Sequence, residues 1–63
     1  MAYLAVDADG TEVVFSERPK RFRSVWVSQE KALIDKYIEL PRGSIAKLIG
    51  RELTWEDEPV MIE

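Results

Sequence analysis

Apolar and polar positions are most clearly organised at the start of the chain. Ala2-Tyr3-Leu4-Ala5-Val6 and Thr11-Glu12-Val13-Val14-Phe15 flank the turn-forming run Asp7-Ala8-Asp9-Gly10, which predicts a β-hairpin. Two registers compete. A two-residue loop at Asp9-Gly10 sets Leu4 and Val6 against Phe15 and Val13 but faces Asp7 with Glu12. A type I turn starting at Asp7, with Gly10 left-handed and a bulge after it, pairs Asp7 with Thr11. That second register gathers Tyr3, Ala5, Val13 and Phe15 on one face and avoids the like-charge pair, so it is favoured.

Further along, Arg18-Pro19-Lys20-Arg21 reads as a polar connection, and Phe22-Arg23-Ser24-Val25-Trp26-Val27 as a β-branched and aromatic strand. Ser28 is a capping residue, and Leu33, Ile34, Tyr37 and Ile38 recur at helical spacing. Tyr37-Ile38-Glu39-Leu40, however, precedes Pro41, which pushes its neighbour towards extended geometry. A short helix near 29–35 and a strand near 36–40 reconcile the two signals. Ser44 then caps a second short helix with Ile45, Leu48 and Ile49 as its buried stripe and Gly50 as its stop. Leu53-Thr54-Trp55 and Val60-Met61-Ile62 alternate about Glu56-Asp57-Glu58-Pro59 and predict a second hairpin. The expected architecture is a single domain over residues 1–63: α+β, with a small, mostly antiparallel sheet, N-terminal and C-terminal hairpins, and one or two short helices.

Composition narrows the function classes. The chain has 63 residues, no cysteine and no histidine. A domain of this size buries only about 60% of the surface its unfolded chain exposes. Disulfides are excluded, and a metal or cofactor is not expected. That leaves a well-packed monomer or a self-associating chain, and the second, a homo-oligomer, is favoured. No apolar run reaches the roughly 20 residues that span a bilayer, and no basic-then-apolar leader opens the chain; the expected location is cytoplasmic, without a membrane partner. The net charge of −3 hides blocks: residues 1–17 hold four acids and no base, 18–47 hold eight bases against three acids, and 48–63 hold one base against five acids. Such asymmetry bears on partners and not on fold.

Two stretches imitate known chemistry. Leu4-Ala5-Val6-Asp7-Ala8-Asp9-Gly10-Thr11 resembles the first motif of haloacid-dehalogenase-type phosphatases, in which the first aspartate is the nucleophile and the second the general acid, beside magnesium. The resemblance implies a doubly wound domain, a lysine and a downstream acidic pair that a chain this short cannot hold. The same residues are ordinary turn formers. Arg42-Gly43-Ser44-Ile45-Ala46-Lys47-Leu48-Ile49-Gly50-Arg51 resembles the first helix and turn of helix-turn-helix domains. Its would-be recognition segment, Glu52 to Pro59, carries four carboxylates and ends at proline, which repels a phosphate backbone. Catalysis and nucleic-acid binding are therefore not expected.

Binding is what remains. Arg18, Lys20, Arg21 and Arg23, followed by Trp26, read either as a solvated loop-to-strand edge whose cations deter edge-to-edge pairing or as a candidate site for an anionic ligand or acidic partner: guanidinium forks grip phosphate oxygens, and an aromatic face stacks a base. A continuous strand from Phe22 would put Arg21 and Arg23 on one face and Trp26 on the other. One ligand would then need a folded-over loop or a second subunit. Charge reversal at Arg21 and Arg23 is accordingly expected to abolish binding with little change in thermal midpoint. Trp55, Glu56, Asp57 and Glu58 form the acidic counterpart, a candidate partner-binding hairpin tip.

The C-terminal third, from Glu39-Leu40-Pro41 through Gly43-Ser44-Ile45 and Leu48-Ile49-Gly50 to Leu53-Thr54-Trp55-Glu56-Asp57-Glu58-Pro59-Val60, resembles small bacteriophage and prophage accessory proteins. The resemblance implies a protein that works in the host cell by binding. It would block a host defence or regulatory protein, or sequester a signalling nucleotide. The alternatives are a protein–protein scaffold and, below it, a DNA-binding regulator.

Overall fold

The computed structural model describes residues 2–28 and 37–63; the helix expected near 29–35, and residue 36 of the expected strand, lie outside them. In chain order the described elements are β1 (Ala2–Val6), β2 (Glu12–Phe15), β3 (Pro19–Phe22), β4 (Val25–Ser28), β5 (Tyr37–Leu40), α1 (Ser44–Ile49) and β6 (Val60–Ile62). They form a four-stranded sheet in the order β5-β2-β1-β6 and a two-stranded sheet β3-β4, with every pairing antiparallel. This is a small, mostly antiparallel β-structure with one short helix among the described residues, compatible with the expected α+β class.

The first hairpin has the favoured register. Tyr3 pairs with Phe15 and Val6 with Glu12, and Asp7 and Thr11 close the turn through the Asp7 N–H on the Thr11 carbonyl at 2.9 Å. Gly10, at φ 91°, takes the left-handed position that a side chain resists. Both faces of β1 are covered, one by Ile45 and Leu53 and the other by Trp26. That explains why Ala2–Val6 reads as a near-continuous apolar run and not as a strict alternation.

Each sheet face carries its own core. Leu4 and Val6 point to α1, where they pack with Ile45 and Leu53; Val14, Leu40, Ile49, Val60 and Ile62 surround them. Ala5, Val13 and Phe15 point the other way, to Trp26, with Tyr3 and Trp55 alongside. The β3–β4 hairpin is tied to the first turn by three hydrogen bonds. The Trp26 N–H donates to Asp7 Oδ1 at 2.9 Å, the indole N–H to the Val6 carbonyl at 2.9 Å, and the Ala8 N–H to the Ser24 carbonyl at 3.0 Å.

Four expectations are corrected. Residues 19–22 are not a connection: they pair with 25–28, and the supposed strand 22–27 is broken by a turn at Arg23-Ser24, where Arg23 has φ 59°. No glycine or asparagine marks that turn. It is held from outside, by Ala8 on the Ser24 carbonyl. Ser44 is the first helical residue and not the cap. Gly43 precedes the helix at φ 93°, and the free N–H groups are closed by Glu12, as described below. Leu48 is not buried but 58% exposed, because a six-residue helix turns only a narrow face inward. Finally, 53–55 does not pair with 60–62. Thr54 and Asp57 form a tight turn, with the Thr54 N–H on Asp57 Oδ2 at 2.8 Å and the Asp57 N–H on the Thr54 carbonyl at 3.0 Å. β6 instead takes the open edge of β1, Leu4 pairing with Val60.

Candidate functional site

Breaking the strand at Arg23 changes the geometry of the basic segment. Arg21 lies directly across the β3–β4 ladder from Trp26, so the cation and the aromatic share one face within a single chain. Neither a folded-over loop nor a second subunit is required. The guanidinium carbon is 4.6 Å from the Trp26 ring centroid and 5.2 Å from that of Trp55. The two indoles meet edge to face at 5.6 Å, a favourable arrangement for ring quadrupoles, and the cation sits against both.

The acidic segment folds onto this cation. Arg21 Nη1 donates to Glu58 Oε2 at 3.0 Å, and Arg21 Nη2 donates to the carbonyls of Trp55 at 2.9 Å and Asp57 at 3.3 Å. Arg18 Nη2 is 3.5 Å from the other oxygen, Glu58 Oε1. The two sites expected to be separate are therefore one. Arg18, Arg21, Trp26, Trp55 and Glu58 converge, and Asp57 joins through its carbonyl.

The remaining expected residues are elsewhere. Lys20 pairs with Val27 on the opposite face of the hairpin. Arg23 lies in the turn with its guanidinium carbon 5.4 Å from the Phe22 ring centroid. Glu56 is exposed and faces a cleft of about 590 Å³ between the first turn, the start of α1 and residues 52–56, with Asp7, Glu12, Glu52 and Arg42 also on its walls. Trp26 is a core residue, 6% exposed, and Arg21 covers the ring face that a base would need.

The Asp-x-Asp-Gly-Thr run is committed to structure. Asp7 Oδ1 accepts the Trp26 N–H, and Asp9 Oδ1 accepts the Thr11 N–H at 2.9 Å. Burial raises the Asp7 carboxyl above its ordinary pKa, outweighing the Trp26 hydrogen bond that lowers it. The Thr11 hydroxyl and N–H lower that of Asp9. Among the described residues, no three of His, Cys, Asp and Glu gather in a group that could hold a metal ion, and no helix is long and apolar enough to cross a membrane.

Two residues have roles that no local pattern in the sequence marks. Glu12 closes the helix, accepting the Gly43 N–H at 2.7 Å and the Ile45 N–H at 2.8 Å. Arg42 lies over Gly10 and donates to the Asp9 carbonyl at 3.1 Å. The alternation of basic and acidic blocks was the only signal that could have joined Arg21 to Glu58. Compared with protein-family models, with curated proteins and with solved structures, the chain matches none.

Proposed function

We propose that this chain is a non-enzymatic accessory protein of the phage type. It acts in the host cytoplasm as a small homo-oligomer and counters a host defence or regulatory system by sequestering an anionic signalling ligand. Arg18 and Arg21 form the heart of that site, with Trp26 beneath Arg21; Lys20, on the opposite face, and Arg23, in the turn, add only to the positive charge of the hairpin. One observation carries the reading: two guanidinium groups converge on a single carboxylate, each on its own oxygen. Each arginine makes one contact and not a two-bond fork, but two cations converging on one oxyanion supply the charge-assisted attraction by which arginine holds phosphate and carboxylate groups. Arg21 is further oriented by two carbonyls and two indoles, so little entropy is lost when a ligand docks.

A second reading, occupation of a host protein surface, is favoured by the outer face of the β3–β4 hairpin. There Phe22 is 53% and Val25 38% exposed beside Lys20. Native mass spectrometry of the protein taken from host cells separates the two: a co-purifying phosphorylated small molecule supports sequestration, and a stoichiometric protein supports surface occupation. Recovery of the bare chain in every preparation would refute both.

A further inference from the structure

We infer that Glu58 is a built-in occupant of the anion seat: its carboxylate holds the place that a phosphate group takes when the ligand binds. The inference rests on the anion-binding reading and adds to it how the site is regulated and which part of the ligand is recognised.

Three observations carry it. First, the carboxylate straddles the two cations, Oε2 on Arg21 at 3.0 Å and Oε1 on Arg18 at 3.5 Å, as a bound oxyanion would. Second, the contact is exposed: the Glu58 side chain is 67% accessible and those of Arg18 and Arg21 are 52% and 38% accessible. Exposed pairs are weak and screened, so a rotation of the Glu58 side chain into solvent vacates the seat at small cost. Third, Arg21 does not depend on Glu58 for its position, because Trp55, Asp57 and the two indoles hold it independently. A phosphate monoester carries nearly twice the charge of a carboxylate and more acceptor oxygens, so it outcompetes Glu58. With the open side of Trp26 taken by Arg21, recognition goes through the phosphate and not through a base.

The test titrates inorganic phosphate, pyrophosphate and adenosine monophosphate into wild-type protein and into Glu58→Gln, Arg18→Gln and Glu52→Gln by calorimetry at low salt, each variant first shown to be folded by its thermal transition. Glu52→Gln removes the same charge from an exposed position that touches neither arginine. Glu58→Gln should tighten phosphate binding about twofold to tenfold, Glu52→Gln should leave it within twofold, and Arg18→Gln should weaken it. In the wild-type protein, the carbon-13 shift of the Glu58 carboxyl should move as phosphate is added, a readout that needs no substitution. If wild type binds and Arg18→Gln does not, but Glu58→Gln equals Glu52→Gln and the Glu58 resonance stays still, the anion-binding reading stands and the occupant role falls. If neither wild type nor Glu58→Gln binds any probe, the anion-binding reading itself falls. Binding of adenosine monophosphate more than tenfold tighter than pyrophosphate would overturn recognition through the phosphate alone.

Discussion

Glu12, on the second strand, closes the N-terminus of the only described helix by accepting the backbone N–H of Ile45 at 2.8 Å. Its other oxygen takes the Gly43 N–H at 2.7 Å, so one carboxylate satisfies two of the helix's unpaired donors and adds negative charge at the positive end of the backbone dipoles. A cap is usually local, supplied by the residue that precedes the helix. Here it comes from the sheet and welds the helix layer to the strand layer.

Replacing Glu12 with alanine should therefore cost about 1–2 kcal/mol. In a domain of this size that lowers the thermal midpoint by roughly 4–8 °C per kcal/mol. Glu12→Gln, whose amide oxygen still accepts one bond, should lose less. Equal midpoints for wild type and Glu12→Ala in thermal unfolding followed by circular dichroism would remove the cap from the account.

Arg21 is structural as well as a candidate ligand residue, and this corrects the expectation that charge reversal leaves the midpoint unchanged. Arg21→Glu would set a carboxylate against Glu58 and uncover the Trp26 ring. A loss of about 1–3 kcal/mol is expected, from hydrogen bonds to a charged donor and two cation–π contacts, discounted for exposure. Arg21→Lys keeps the charge but not the fork, and should fall between. Arg23→Glu, in an exposed turn, should stay within about 0.5 kcal/mol. Urea denaturation of the three variants checks the order.

Asp7 and Asp9 should give stability profiles of opposite sign. Burial raises the folded pKa of Asp7 above its ordinary 3.8, so the folded state binds more protons there than the unfolded state. Ionised Asp7 then weakens the fold at neutral pH, and the penalty disappears as pH falls through the raised value towards 3.8. Asp7→Asn keeps an acceptor for the Trp26 N–H without the charge. It should be at least as stable as wild type at pH 7, with the advantage shrinking on acidification. Asp9 is held low by Thr11, so its contribution is present above 3.8 and is lost as pH falls through its depressed value. An Asp7→Asn advantage constant from pH 7 to 4 would contradict the burial argument.

Core positions should separate sharply from the exposed apolar ones. Leu4 is 0% and Ile45 1% exposed. Leu4→Ala should cost about 2–5 kcal/mol and Ile45→Val about 0.5–1.5 kcal/mol. Against the marginal stability of so small a domain, the former should leave a measurable unfolded fraction at room temperature. Leu48→Ala, at a 58% exposed position, should change the urea midpoint little.

The first hairpin was legible because every signal that specifies it is local. Alternation picks the faces, Gly10 picks the turn, and the repulsion between Asp7 and Glu12 rejects the rival register. Strand 37–40 was legible through Pro41, and the helix end through Gly50. The β3–β4 turn was not, because its positive-φ position is Arg23 and not a glycine or asparagine, and the turn is held by a hydrogen bond from Ala8 to the Ser24 carbonyl. β6 was misplaced because alternation says that a segment is a strand but not which edge it joins.

The same division governs the candidate site. By itself, the order of residues determined a β-rich, cysteine-free and histidine-free domain with its cations in the middle and its acids at both ends. Only the tertiary structure decided that Arg21 faces Trp26, that Glu58 closes on Arg18 and Arg21, and that Glu12 caps the helix. The physical reason is range: turn geometry and strand period act over a few residues, whereas Glu58 reaches Arg21 across 37 positions and Glu12 reaches Ile45 across 33, and the pairing of Arg21 with Trp26 depends on a turn held from outside by Ala8. They exist only once two sheets and a helix have packed.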